Sequence, residues 1–245
     1  MEPVRVFHIS RQTCKGRRVA AVLVAAGSFT RMGGTHKQLL CLSGLPVIAH
    51  TIRAFQQSEH ICEIVLVSRA EDIPRFSEIC RKQQFDKVSM IVCGGESRQQ
   101  SVSNGVHAVG ESADYFAVHD GARPLIRPGT IDRVIAYAWE YGAATAAVPV
   151  KDTVKVADGD GFIVNTPERS RLWNVQTPQV FERNLFMKAL EQASVNGYDF
   201  TDDCQLVEML GHKIYLVKTD YDNIKLTTPE DIIMAQGILK ARDIT

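Results

Sequence analysis

A run of small and branched apolar residues, Val19 to Ala26, stops at Gly27. Nothing else in the chain constrains its fold as strongly. With no polar alternation, the run does not suit a strand with one wet face. It reads as a strand buried on both sides, in a parallel sheet. A short loop follows, carrying Arg31, Met32, two glycines and Lys37. Open α/β sheets bind ligands at the carboxyl ends of their strands. Glycines let a phosphate approach backbone N–H groups, and Arg and Lys add fixed positive charge. The loop is therefore expected to cradle a nucleoside triphosphate.

Further strand patterns recur at Glu63–Ser68, Val88–Val92, Tyr115–His119 and Ala144–Val148. Amphipathic helical patterns lie between them, at Val47–Gln57, Pro74–Phe85, Ser97–Val109 and Pro128–Tyr141. This alternation predicts βαβ units, and so an α/β fold with a doubly wound, mostly parallel, Rossmann-like sheet. After Val150 the pattern breaks. Thr153 to Val156 alternates polar and apolar, Asp158-Gly159-Asp160-Gly161 follows, then Phe162-Ile163-Val164. Two strands around a Gly-rich turn predict an inserted β-hairpin arm at about 150–172, either a surface flap or a reach toward another subunit. Helices are expected from Arg183, Thr201 and Pro229, and a strand over Lys213–Lys218. At 245 residues the chain suits one domain, 18–245, behind an extension of residues 1–17.

Bulk properties exclude several classes. Lys plus Arg (28) equals Asp plus Glu (28), so no global field favours nucleic acid or an acidic membrane. The longest apolar stretch is too short to span a bilayer. Residues 1–17 lack the apolar core of a secretory signal. Cys14, Cys41, Cys62, Cys80, Cys93 and Cys204 stand singly without a CxxC pair, which argues against zinc. Several are expected to be plain buried thiols, and a reducing, cytoplasmic setting is expected.

Four more segments carry candidate chemistry. Gly94-Gly95-Glu96-Ser97-Arg98, with Ser101, reads by itself as a glycine turn with Ser97 capping a helix. In His119-Asp120-Gly121-Ala122-Arg123-Pro124, Asp120 ends a central strand, where an acid meets Mg²⁺ or substrate, or else forms an Asp turn beside a salt-bridged Arg. His119 reads as a packed strand-end residue. In Arg169 to Phe181, Leu172 and Trp173 read as core or interface anchors, and Arg169 and Arg171 as solvated charges. In Asp222 to Thr227, the threonines serve the next helix cap and Lys225 decorates the surface.

Together these segments say more than they do singly. The AAG, RM and Lys-Gln pattern resembles nucleotidyltransferases that activate sugars and polyols. The strings GGESRQQSV, HDGARP, VKDTVK, LWNVQTPQVF and DNIKLTTPEDI resemble one branch, the polyol-phosphate cytidylyltransferases that act on 2-C-methyl-D-erythritol 4-phosphate in non-mevalonate isoprenoid synthesis. The resemblance runs in order from Arg18 to the C-terminus. It implies that Arg31 and Lys37 stabilise the transition state on CTP, and that Arg169 and Lys225 position the incoming polyol phosphate. It places Ala25, Ala26, Gly27, Gly95, Ser101 and Asp120 at the nucleotide. Asp120, Arg123, Thr153, Arg169, Thr201 and Lys225 fall at the polyol phosphate. It also implies Mg²⁺ as cofactor and a homodimer in which the arm crosses to the neighbour. Phe29 and His36 depart from the family, which usually has glycine and often proline there.

The implied reaction is attack by the substrate's phosphate on the α-phosphorus of CTP, with loss of pyrophosphate. A phosphate monoester is already anionic near neutral pH and needs no general base. Cations that bring two polyanions together are the main requirement. A ribitol-5-phosphate cytidylyltransferase is the nearest rival, and a non-catalytic nucleotide-binding or scaffold protein a rival of another class. A Rossmann oxidoreductase would need GxGxxG, which Gly27-Ser28-Phe29 does not supply.

Overall fold

The structure, a computed structural model, describes residues 3–6, 16–27, 36–109, 111 and 113–242, with Lys37 described in its backbone alone. Twelve strands and seven α-helices are found among these residues. The strands are β1 (Val4–Arg5), β2 (Val19–Val24), β3 (Cys41–Leu42), β4 (Leu45–Pro46), β5 (Ile61–Ser68), β6 (Val88–Cys93), β7 (Tyr115–Asp120), β8 (Ala143–Pro149), β9 (Val156–Ala157), β10 (Ile163–Asn165), β11 (Trp173–Glu182) and β12 (Tyr215–Lys218). The helices are α1 (Val47–Gln57), α2 (Ile73–Lys82), α3 (Arg98–Val109), α4 (Pro128–Tyr141), α5 (Arg183–Val195), α6 (Asp203–Glu208) and α7 (Pro229–Arg242).

Eight strands form one sheet in the order β1-β6-β5-β2-β7-β11-β8-β12. From β2 the chain winds outward through β5 and β6, then returns to place β7 on β2's other side. The pairs among β6, β5, β2 and β7 are parallel, as is β8 with β12. The reversal of direction between β2 and β7 opens a crevice at their carboxyl ends. Ala25–Gly27 and Asp120 lie at that crevice.

The opening apolar run is buried on both faces, as its composition demands. Val19, Ala21 and Leu23 join one core with Ile52 and Phe55 of α1 and Ile131 and Val134 of α4. Ala20 and Val22 join a second core with Val102 and Val106 of α3 and Phe186 of α5. Strand side chains alternate between faces, so a two-sided strand must be apolar throughout. Helix α4 begins with Pro128 at its first turn and ends at Gly142, whose φ of 80° is left-handed. Asp231 closes the start of α7, accepting from the Thr227 and Thr228 amides at 2.7 and 2.8 Å.

Three features differ from the sequence expectations. The segment read as anchors around Trp173 is a ten-residue strand, β11, antiparallel between β7 and β8. Its polar residues and Pro178 mask the strand pattern, and the ladder with β8 shifts register between Val175 and Gln179. Within the N-terminal extension, β1 adds an edge strand to β6, so the fold takes in residues ahead of Arg18. Among the cysteines, Cys80 and Cys204 are buried thiols, in keeping with the expectation for several of them, and Cys41 is exposed; Cys62 is disulfide-bonded, which the expectation of a reducing setting did not foresee. The hairpin arm is present: β9 and β10 pair antiparallel, with every residue of both strands exposed. Among the described residues no helix is long and apolar enough to cross a membrane.

Helix α3 packs closely on the sheet at Gly105. A Cβ added at Gly105 would stand 2.4 Å from Val22 Cγ1 and 2.7 Å from Val67 Cγ2. Gly105→Ala is therefore expected to destabilise the protein by about 1–3 kcal/mol, despite alanine's better helix propensity. Urea unfolding of the two proteins measures this; equal stability would mean that α3 is free to shift.

Candidate active site

The crevice is built around one carboxylate. Asp120 is the last residue of β7 and is almost fully buried. One of its oxygens lies 3.0 Å from Lys225 Nζ and 3.3 Å from Arg123 Nε. The other lies 3.7 Å from Arg98 Nη2, which also meets Asp203 Oδ2 at 2.8 Å. Burial alone would raise the Asp120 pKa, but the charges of Lys225, Arg98 and Arg123 outweigh it and hold the carboxyl well below the usual range. Burial works against charge on Arg98 too, and Asp203 and Asp120 overcome it, so its pKa is raised. Lys225, Arg123 and Arg98 thus converge on the one Asp120 carboxylate, with Asp203 and Asp202 acting on Arg98 from its other side. Of these cations Lys225 is the most open to solvent, and an ammonium held in a partly desolvated place can meet an anion.

Strand β11 explains how these groups are held. Thr177 Oγ1 accepts the Asp120 backbone N–H at 3.0 Å and bonds His119 Nδ1 at 2.9 Å. The Asn223 side-chain amide donates to Gln176 Oε1 and to the Thr177 carbonyl, each at 2.9 Å. Arg123 Nη1 donates to the Asn223 carbonyl at 2.9 Å. Neighbouring polar residues of one strand thus fasten both the Asp120 strand end and the loop bearing Lys225. Their polarity serves this network, which satisfies Gln176 Oε1, the Thr177 hydroxyl and the Asn223 amide N–H groups.

His119 is fully buried, and burial first of all pushes its pKa down to about 3. Its ring fits as the neutral Nε2–H tautomer, with the Thr177 hydroxyl donating to Nδ1 and Nε2 donating to the Arg123 carbonyl at 3.3 Å. It is a packed strand-end residue, as its sequence position indicates, and it stays uncharged through neutral pH.

The floor beside β2 is formed of backbone. Gly94 N donates to the Ser68 carbonyl at 2.8 Å, and Gly95 N to Ser101 Oγ at 3.0 Å. A Cβ on Gly94 would stand 2.4 Å from the Ala26 Cβ, so the two turns touch and only glycine fits. Ser97 also caps α3, its Oγ accepting from Gln100 N at 3.2 Å. Ala25, Ala26, Gly95 and Ser101 are thus gathered at adjacent strand ends, with Gly27 exposed just beyond.

The other expected residues are distributed less evenly. Lys225 and Arg123 join Asp120 directly. Arg31 lies outside the described residues, as does the Lys37 side chain. Thr201 is exposed in the turn before α6, two positions from Asp203. Thr153 and Arg169 are exposed at the arm, where Arg169 Nη1 donates to the Lys151 carbonyl at 3.1 Å. Among the described residues neither is hydrogen-bonded or ion-paired to the Asp120 cluster. Sequence reasoning missed Arg98 and Asp203 as a pair. Their separation of 105 positions leaves no local signal.

The His119 assignment makes a testable statement about acid stability. Its pKa falls from 6.5 to about 3 on folding, so below about 6.5 the unfolded chain binds a proton that the folded chain refuses. Stability from this residue is present above pH 6.5 and is lost as pH falls toward about 3, at up to about 1.4 kcal/mol per pH unit. Urea unfolding of wild type and His119→Asn at several pH values between these limits should show the stability gap narrowing with acid. A constant gap would mean that His119 titrates normally in the fold.

Comparison with known proteins extends this picture. Residues 19–241 match the family model described as IspD, 2-C-methyl-D-erythritol 4-phosphate cytidylyltransferase. The chain is similar to the protein of that name from Pelotomaculum thermopropionicum, 48% identical over 92% of this chain and 95% of the relative. It is also similar to that from Caldanaerobacter subterraneus subsp. tengcongensis, at 47% identity over 91% of this chain and 99% of the relative. Among solved structures, 4-diphosphocytidyl-2C-methyl-D-erythritol synthase from Anaerococcus prevotii superposes with a TM-score of 0.83 at 30% identity, over 91% of this chain and 96% of that one.

Proposed function

The chain belongs to the 2-C-methyl-D-erythritol 4-phosphate cytidylyltransferase family, and from this membership we infer the reaction its crevice performs. The enzyme transfers CMP from CTP to 2-C-methyl-D-erythritol 4-phosphate. The products are 4-diphosphocytidyl-2-C-methyl-D-erythritol and pyrophosphate, in non-mevalonate isoprenoid precursor synthesis. The observation that carries the reading into the structure is the convergence of three cations on Asp120, at the sheet's switch point.

In this reading Ala25, Ala26, Gly27, Gly95 and Ser101 hold the nucleotide, largely through backbone groups. Arg31 and Lys37 neutralise the triphosphate and the departing pyrophosphate. Lys225, 39% exposed while paired to Asp120, offers its ammonium to the incoming phosphate. Asp120 fixes the angle of Lys225 and Arg123, so they need little reorganisation as charge shifts. Thr153, Thr201 and Arg169 complete the polyol-phosphate contacts. No general base is required, and His119, neutral and enclosed, is not one.

Mg²⁺ belongs to the same reading. Among the described residues no three His, Cys, Asp or Glu side chains cluster as a metal cage. Mg²⁺ characteristically uses one or two carboxylates together with substrate phosphates. In this reading Asp120 would be the acid nearest an ion carried in on the triphosphate, although Lys225, Arg123 and Arg98 already face its oxygens, and such an ion would neutralise phosphate charge.

A homodimer through the arm is the remaining part. Phe162, Ile163 and Val164 of the arm are 72, 64 and 59% exposed, apolar surface of the kind that a partner covers. Arg169 and Thr153 then serve the neighbour's crevice. The reading also keeps a cytoplasmic setting.

Pyrophosphate release from CTP with 2-C-methyl-D-erythritol 4-phosphate tests the activity, alongside ribitol 5-phosphate and the other nucleoside triphosphates. Preference for ribitol 5-phosphate, or no release from any pair, would overturn it. Arg31→Ala, Lys37→Ala and Lys225→Ala are each expected to lower turnover by about a hundredfold or more. Near-normal turnover removes that residue from the mechanism. Arg169→Ala mixed and reassembled with Lys225→Ala should recover about one quarter of wild-type activity, because half the dimers are mixed and each has one intact site. No recovery would place Arg169 in its own chain's site.

A further inference from the structure

The loop between β12 and α7 carries Lys225, and it is fastened at nearly every residue. Thr219 bonds the Ala147 carbonyl, Asp222 pairs with Arg127 and Arg242, and Asn223 bonds β11. Tyr221 stands apart in this series because it reaches in the other direction, toward the arm. Its hydroxyl donates to the Pro149 carbonyl at 2.8 Å, where β8 ends and the arm begins. Two residues on, the Lys151 ammonium sits 3.6 Å from the centroid of the Tyr221 ring. The Lys151 carbonyl accepts from Arg169, on the arm's returning leg. Val150 N donates to the Leu172 carbonyl at 3.0 Å, so the two legs are joined at the root.

The Tyr221 ring belongs to none of the buried apolar clusters and is 41% exposed. It adds little to the folding core. Its two contacts fall on either side of the arm's root, at Pro149, the last residue of β8, and at Lys151, among the first residues of the arm. We propose that Tyr221 and Lys151 form a latch that sets the arm's root against the Lys225 loop, making Tyr221 a positioning residue for the acceptor polyol phosphate. The proposal rests on the functional reading above, in which Lys225 and Arg169 meet that phosphate. It adds a reason why two cations from segments 56 positions apart keep a defined relation to one another. The latch holds whether the arm's cation serves its own crevice or a neighbour's, since in either case the root fixes where the arm points.

The chemistry separates the two contacts. Tyr221→Phe removes the hydroxyl and keeps the ring beneath the ammonium. Tyr221→Leu removes both contacts, and Lys151→Met removes the charge and keeps the apolar stem. Steady-state pyrophosphate release, with each substrate varied in turn, should show Tyr221→Leu raising KM for the polyol phosphate about tenfold, while kcat and KM for CTP stay within about twofold. Tyr221→Phe and Lys151→Met should each raise it about threefold. The double variant Tyr221→Leu, Lys151→Met should be no worse than Tyr221→Leu alone, because the pair acts as a unit. Thermal unfolding midpoints should match wild type. Equal rises in both KM values, losses that track a lowered midpoint, or no change in any variant would each overturn the latch. A wild-type protein silent with both substrates would instead overturn the functional reading, and the latch with it.

Discussion

A carboxylate buried at the end of a central strand must be surrounded by positive charge or cost the fold several kcal/mol. Asp120 is that group, and much of the crevice follows from satisfying it. Its partners come from the first turn of α3, the turn after β7 and the loop before α7. These segments are drawn together because no one of them can neutralise the carboxylate alone. The result is a set of cations held at fixed angles, with Lys225 still partly open to solvent. Polyanion chemistry asks for such preorganised charge, so the interaction that holds the crevice together also equips it.

Strand β11 is the second support. Its Gln176-Thr177 step grips the backbone of Asp120 and the side chain of Asn223. The antiparallel insertion therefore couples two chain segments about a hundred residues apart. Its neighbour Gln179 is buried as well, and an apolar strand there would have filled the sheet without fixing the loop.

Legibility in the sequence followed the same physics. Helices α1 and α4 were readable to the residue, because their apolar faces repeat with helical period and α4 has proline and glycine at its ends. Strand β2 was readable because burial on two faces leaves only apolar residues. Strand β11 was not, since its polar side chains serve a tertiary network and Pro178 sits at a register shift. The same limit hid the Arg98–Asp203 pair and made Lys225 look like surface decoration, because ion pairs across a fold leave no spacing to detect. Arg169 looked like a solvated charge, and in a single chain it is exposed. The motif strings placed these residues together where periodicity could not.

The crevice is assembled from strand ends and the loops leaving them, while most of the crossover helices merely pack behind the sheet. Outer surfaces of α2 and α5 can therefore drift in sequence or take short insertions without moving the chemistry. Relatives under half identical to this chain can then keep one architecture, with tolerance to change concentrated on the solvent side and intolerance at the rim between β2 and β7.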